Sequence, residues 1–191
     1  MERACAECRA SSAPNASVAE ARSLSTSPRK PISFRAVNTR LSEAYDPGLQ
    51  RHHLLPRQLL SQRCFGQMFA QLGRGPVGFD DFRSNGLLLP STDAATLRTG
   101  MPLHRGPHKR YNEMVIERVG RIEARWSVRR SEDTEAALEE AIFRLHLLQG
   151  ALRKRLLSER RRMILNRKDP LGTGFDFAEL DAMAEALWHA T

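Results

Sequence analysis

Cysteine is scarce in this sequence. Cys5, Cys8 and Cys64 are the only three in 191 residues, too few for the disulfide framework of a small secreted domain. Cys5 and Cys8 form a C-x-x-C, but a structural zinc site takes four ligands, and neither a second such pair nor a nearby histidine pair accompanies it. Long apolar runs are missing as well. None reaches the length of a membrane span, and the N-terminus lacks the apolar centre of a signal peptide. The expectation is a soluble, cytoplasmic protein in a reducing compartment, where the Asn15-Ala16-Ser17 sequon carries no weight. Internal repeats are also absent.

Acidic residues are in deficit, 22 against 30 Lys and Arg, which gives a net charge of +8 and a pI near 10.2. The imbalance is local. Residues 46–130 carry 14 basic against 7 acidic side chains, and 151–168 carry 8 against 1, whereas 131–150 and 169–191 are acidic. A basic domain with a separate basic run, Arg153 to Lys168, points to a polyanionic partner, nucleic acid before membrane. Solubilising charge alone would give the same composition. With 41% hydrophobic residues the chain has material for a core, and its length suits one ordinary domain with extensions.

Residues 1–30 are poor in large apolar side chains and read as a disordered leader. Alternation over Pro31–Val37 predicts a short strand. Asp46-Pro47-Gly48 is a turn, followed by an extended piece, Leu49 to Leu55. Pro56 suits a helix start, and Leu59, Leu60, Phe65, Met68, Phe69 and Leu72 predict one helix to about Leu72, stopped by Gly73-Arg74-Gly75-Pro76. Residues 80–86 are loop chemistry ending in a tight reversal at Asn85-Gly86. Leu87-Leu88-Leu89 predicts a strand closed by Pro90, and 91–102 a polar linker. Helical spacing resumes from about Pro107 through Tyr111, Met114, Val115, Val119, Ile122 and Trp126. Ser131 to Glu135 caps another helix, predicted to reach about Asn166 with a bend or break at Gly150. A loop at 169–174 and an amphipathic helix over 176–189 complete the chain.

Four of the six histidines fall in two tight clusters, His52-His53 and His104-x-x-x-His108. On a helix the second spacing is i,i+4, which stacks both imidazoles on one face, where they can share a divalent ion. A doublet on a strand sends successive side chains to opposite faces, one toward a metal and one toward a substrate. Phosphodiester hydrolysis needs an activated water, positive charge at the scissile phosphate and stabilisation of the leaving oxygen. Two clusters provide three ligands and a base.

His52-His53, Asn85 and His104-x-x-x-His108 resemble the HNH superfamily of nucleases, and the fuller strings HHLLP, NGLLLP and PLHRGPHKRYN resemble its AHH branch over about residues 49–125. The resemblance implies an α+β fold, a small ββα-metal finger embedded in a mostly helical chain. The domains would be a leader over 1–30, the nuclease domain over 46–130 and a C-terminal helical extension over 131–191. It implies His52, His104 and His108 as metal ligands, His53 as general base, and Asn85 as the residue pinning the loop around that base. The cofactor would be one divalent ion, zinc or magnesium. The activity would be endonucleolytic, on nucleic acid, DNA before RNA. Members are often toxin domains of larger secreted proteins, which would add an inhibitory immunity protein as partner. Arg51 stands where the branch name implies alanine, and 31 residues separate His53 from Asn85, which implies a helical insertion.

Plainer readings stand beside these. Arg51, Arg105, Lys109 and Arg110 flank the site as phosphate contacts or as solvated charge. Tyr111 and Trp126 read as core, Asp80 and Asp81 as loop solvation, His146 as a structural residue of its helix and His189 as inert. Two rival functions remain at this point. One is a non-catalytic nucleic-acid-binding module with a closed structural zinc, in which His53 would itself be a ligand. The other is a helical interaction protein built on the 131–166 helix.

Overall fold

Two short strands set the frame for everything else. In the computed structural model, which describes residues 30–158 and 163–172, β1 (Leu49–His53) pairs antiparallel with β2 (Gly86–Pro90), His52 opposite Leu87 and His53 opposite Gly86. The pairing continues one step further, where the Leu54 amide donates to the Asn85 carbonyl at 2.8 Å. The leader 1–29, Arg160 to Arg162, the 176–189 helix and His189 lie outside the described residues.

The long connection between the strands is helical, as its length implies, but it is not one helix. Short 3-10 turns at Arg57–Ser61 and Arg63–Phe65 precede α1 (Gly66–Leu72), and α2 (Arg74–Val77) and α3 (Phe82–Asn85) follow. The break falls at Gln62, whose backbone is extended. At 3.6 residues per turn, one continuous helix would point Leu59 and Phe65 in widely different directions. Both are buried in the same core, and the break allows it.

Three further expectations are corrected. Pro31–Val37 is not a strand: Ser33 makes an isolated bridge to Asp81, and Phe34–Ala36 is a 3-10 turn. The bridge does not lengthen, because the extended Asp81 is already the cap of α3, its carboxylate accepting from the Arg83 amide, and the chain turns helical at Phe82. Asn85-Gly86 is not a reversal either. Asn85 ends α3, and Gly86 is extended at φ −110. Glycine is needed there for space, since a Cβ would lie 2.2 Å from the Phe82 ring. The polar linker contains a helix, α4 (Asp93–Thr99), capped by the Thr92 hydroxyl accepting from the Ala95 amide and packed through Ala95 and Thr96. Short polar helices whose stability comes from caps leave little periodicity to read.

Two long helices close the structure. In α5 (Lys109–Arg129), Tyr111, Val115, Val119 and Trp126 are buried; in α6 (Thr134–Leu156), Ala137, Ala141, Leu145, Gln149, Leu152 and Leu156 are. These stripes join Leu54, Leu55, Leu59, Phe65, Met68 and Phe79 in one core. Asp133 caps α6, which runs through Gly150 unbroken and ends at Leu156 rather than Asn166. Its last turn holds Arg153, Lys154 and Arg155, where cations suit the negative end of the helix dipole. Among the described residues no helix is long and apolar enough to cross a membrane. The architecture is α+β, a two-stranded sheet among α-helices.

Candidate metal centre and active site

Strand alternation separates the histidine doublet. His52 turns inward and is 2% exposed, whereas His53 is half-buried on the opposite face. The partners of His52 arrive on the stretch between α4 and α5. The His104 amide donates to the Pro90 carbonyl at 2.6 Å, which ties that stretch to the end of β2. His104 and His108 do not share a helical face. His104 lies in irregular chain and His108 is the N-cap of α5, with Gly106 at φ 73 and Pro107 between them. A positive φ at Gly106 turns the chain back, a conformation costly for a side-chain-bearing residue. The turn brings the rings to a 4.7 Å centroid separation without a helix.

His52 lies 4.8 Å from the His104 ring and 5.2 Å from that of His108, and one ligand nitrogen from each of the three falls within 4.8 Å of the others. His52 Nε2 and His104 Nδ1 are buried without a hydrogen-bond partner. Each such atom costs about 1–3 kcal/mol unless something satisfies it. His108 Nδ1 meets the Gly106 carbonyl at 3.1 Å, so this nitrogen carries the proton and Nε2 keeps the lone pair. Burial, then the neighbouring imidazoles, pushes His52 down to about 2, and burial, then His108, pushes His104 down to about 4. Both are neutral at neutral pH, the form that binds metals. This donor set fits a cation.

Tyr111 walls the cluster, 4.9 Å from the His52 ring and 5.9 Å from His108. Its hydroxyl donates to the Leu54 carbonyl at 2.7 Å, and burial raises its pKa, so the proton stays on oxygen. Trp126 is core, as expected, with Arg130 over its ring.

On the other face His53 stacks on Phe34, centroids 3.8 Å apart and planes within 7°, and Phe82 meets Phe34 edge-on at 5.1 Å. Burial lowers the His53 pKa, helped by Arg57 and opposed by Asp80. Arg51 reaches back to donate to the Phe34 carbonyl at 2.9 Å and so braces the turn that carries the stacking ring. Asn85 is fully buried. Its Oδ1 accepts from the Leu55 amide at 2.7 Å, and its Nδ2 donates to the carbonyls of Leu55 and Phe79 at 3.1 and 3.2 Å. Gln149 of α6 also donates to Asn85 Oδ1, at 3.4 Å, and to the Val77 carbonyl at 3.1 Å.

The remaining candidates divide. Lys109 and Arg110 are exposed in the first turn of α5, where cations oppose the helix dipole, so local stability does not explain them. Arg105 is exposed 4.0 Å from the Asp93 carboxylate. Asp80 pairs with Arg74, and Asp81 caps α3 and accepts from the Ile32 amide at 2.9 Å, so both serve structure. His146 is exposed rather than in the apolar stripe, and its ring meets the Pro76 carbonyl at 2.9 Å. Phe34 and Gln149 were not singled out from sequence. Phe34 carried only the signal of an apolar residue in a short alternating run, and Gln149 carried none.

The sequence pattern of a family described as "a nuclease family of the HNH/ENDO VII superfamily with conserved AHH" matches residues 34–149, more than half of the chain. The chain belongs to the AHH nuclease family. No curated protein and no solved structure matches it. The AHH match is wider than the motif-bearing stretch 49–125. It begins at the residue that stacks on His53 and ends at the residue that donates to Asn85.

Proposed function

We propose that this AHH nuclease is a divalent-metal-dependent endonuclease, acting on DNA in preference to RNA. The observation that carries the proposal is the convergence of His52, His104 and His108 with two buried, unpartnered nitrogens among them. These three would hold the ion, which when bound would supply positive charge to the scissile phosphate and leaving oxygen. An all-imidazole set favours zinc or a similar transition ion over magnesium, which prefers oxygen ligands.

His53 takes the proton from the attacking water. Its lowered pKa keeps it unprotonated at neutral pH, and the Phe34 stack fixes its ring. Asn85 holds the backbone of Leu55 beside that base, so the two histidines of the doublet keep their separate directions. Arg51, Arg105, Lys109 and Arg110 supply cations for the phosphates on either side of the scissile bond. A closed structural zinc is less well supported: three residues form the cluster among those described, and His53 engages Phe34 instead of joining it. A toxin role with an immunity protein belongs to the same proposal and rests on family membership alone.

Plasmid nicking tests it. The purified protein should convert supercoiled DNA to nicked and linear forms, stop on chelation and resume with zinc or another transition ion. A protein that cuts neither DNA nor RNA with any divalent ion would leave the binding module as the better account.

A further inference from the structure

The residues after α6 return to the histidine loop. Leu165 is buried in the common core, and Met163 packs against it. Asp169, 5% exposed, accepts from the Leu103 amide at 2.8 Å through Oδ2 and from the Leu171 amide at 3.0 Å through Oδ1. The Asn166 side chain donates to the Arg105 carbonyl, and its Oδ1 accepts from the Lys168 amide at 2.8 Å. Two side chains of this segment thus grip the backbone immediately before and after His104. Between the segment and the start of α5 lies an open groove of about 510 Å³. His108 lines it with Lys109, Arg110, Arg167 and Lys168, against one carboxylate, Glu113. Lys109, Arg167 and Lys168 are exposed and form no ion pair among the described residues.

We propose that residues 163–172 are a clasp that completes the site, gripping the histidine loop and forming, with the start of α5, the groove that takes the phosphate backbone of the nucleic acid beside His108. The clasp lies beyond the family match, which ends at residue 149. This chain's hold on its substrate therefore depends on residues that family membership does not identify. Lys109 on one side and Arg167 with Lys168 on the other would otherwise repel one another across the groove, and a polyanion lying between them removes that repulsion. The choice of ligand rests on the nuclease reading, but the groove itself rests on the geometry.

The test uses full-length protein carrying His53→Ala, so that the probe is not cut, and a short fluorescein-labelled DNA duplex followed by anisotropy at several salt concentrations. Adding Arg167→Gln with Lys168→Gln should weaken binding several-fold at moderate salt. It should also make the slope of log affinity against log salt shallower by about 1 to 2, the loss of one or two phosphate contacts. Arg121→Gln, an exposed cation of α5 outside the groove, should leave the slope nearly unchanged. Equal slopes in the clasp variant and its parent, or an equal loss with Arg121→Gln, would overturn the clasp while leaving the nuclease intact. A wild type that cuts nothing, yet whose slope falls only with the clasp substitutions, would keep the groove and remove the catalytic reading.

Discussion

At the scale of single residues, neighbours in sequence are assigned different chemistry because β1 sends them to different faces. His52 meets His104 and His108, while His53 meets Phe34. The variants should separate accordingly. His52→Ala and His104→Ala should lower both bound zinc and cleavage, whereas His53→Ala should keep zinc and fold but lose about a hundredfold or more in rate, the usual scale for a general base. Zinc analysis beside plasmid nicking reads both, and a His53→Ala protein that sheds its metal would make His53 a ligand. Asn85 acts through the backbone. Replacing it by Ala leaves the Leu55 amide and the Leu55 and Phe79 carbonyls without that side chain at a fully buried position. The expected loss is about 3 kcal/mol in urea unfolding, and a change within experimental error would refute its pinning role. The histidines were legible because imidazoles are rare and clustered here. The device uniting two of them was not: H-x-x-x-H suggested a helix, and the chain uses Gly106 and Pro107 to reach the same proximity.

At the scale of elements, the long helices were legible and the short ones were not, for one physical reason. An apolar stripe repeated over several turns, as in α5 and α6, marks both the helix and the face it buries. In α4 a local cap at Thr92 decides, and between Pro56 and Leu72 burial in the common core does, against residues distant in sequence. The α5–α6 pair is also held by a polar device that no periodicity shows. Glu140 accepts from Arg144 at 2.7 Å within α6, and from Arg125 and Arg129 of α5 at 2.7 and 2.6 Å. The Arg144 hydrogen bond, then Arg125, holds the Glu140 pKa below the usual carboxylate range. A lowered folded pKa gives stability that is present above the unfolded value and disappears as pH falls through the folded one. Glu140→Gln should therefore lower Tm at neutral pH, and the gap to wild type should close under acid conditions below the ordinary carboxylate range. A gap that persists unchanged in acid would assign the loss to packing instead of charge.

At the scale of the whole molecule, the histidine loop is tied to the end of β2 through Pro90, runs directly into α5 at His108, and is gripped from far along the chain by Asp169 of the segment after α6. Leu103 and Asp169 are 66 residues apart, a relation that no local pattern announces. In sequence Asp169 was one residue of a loop, yet it is among the few buried polar side chains described. Its carboxylate fixes the amide immediately before His104, whose Nδ1 is buried without a partner. Asp169→Ala removes the acceptor from a buried amide. It should cost about 1–3 kcal/mol of stability and roughly tenfold or more in zinc affinity, the scale seen when residues that orient metal ligands are lost. Asp169→Asn keeps a carbonyl oxygen that can accept from Leu103, so it should recover part of both. Zinc titration and thermal unfolding of the two variants distinguish bracing from bulk charge, because alanine and asparagine remove the same charge but differ in the acceptor. If both variants lose zinc equally, the effect of Asp169 is its charge. If neither loses any, the histidine loop holds its shape without the C-terminal segment.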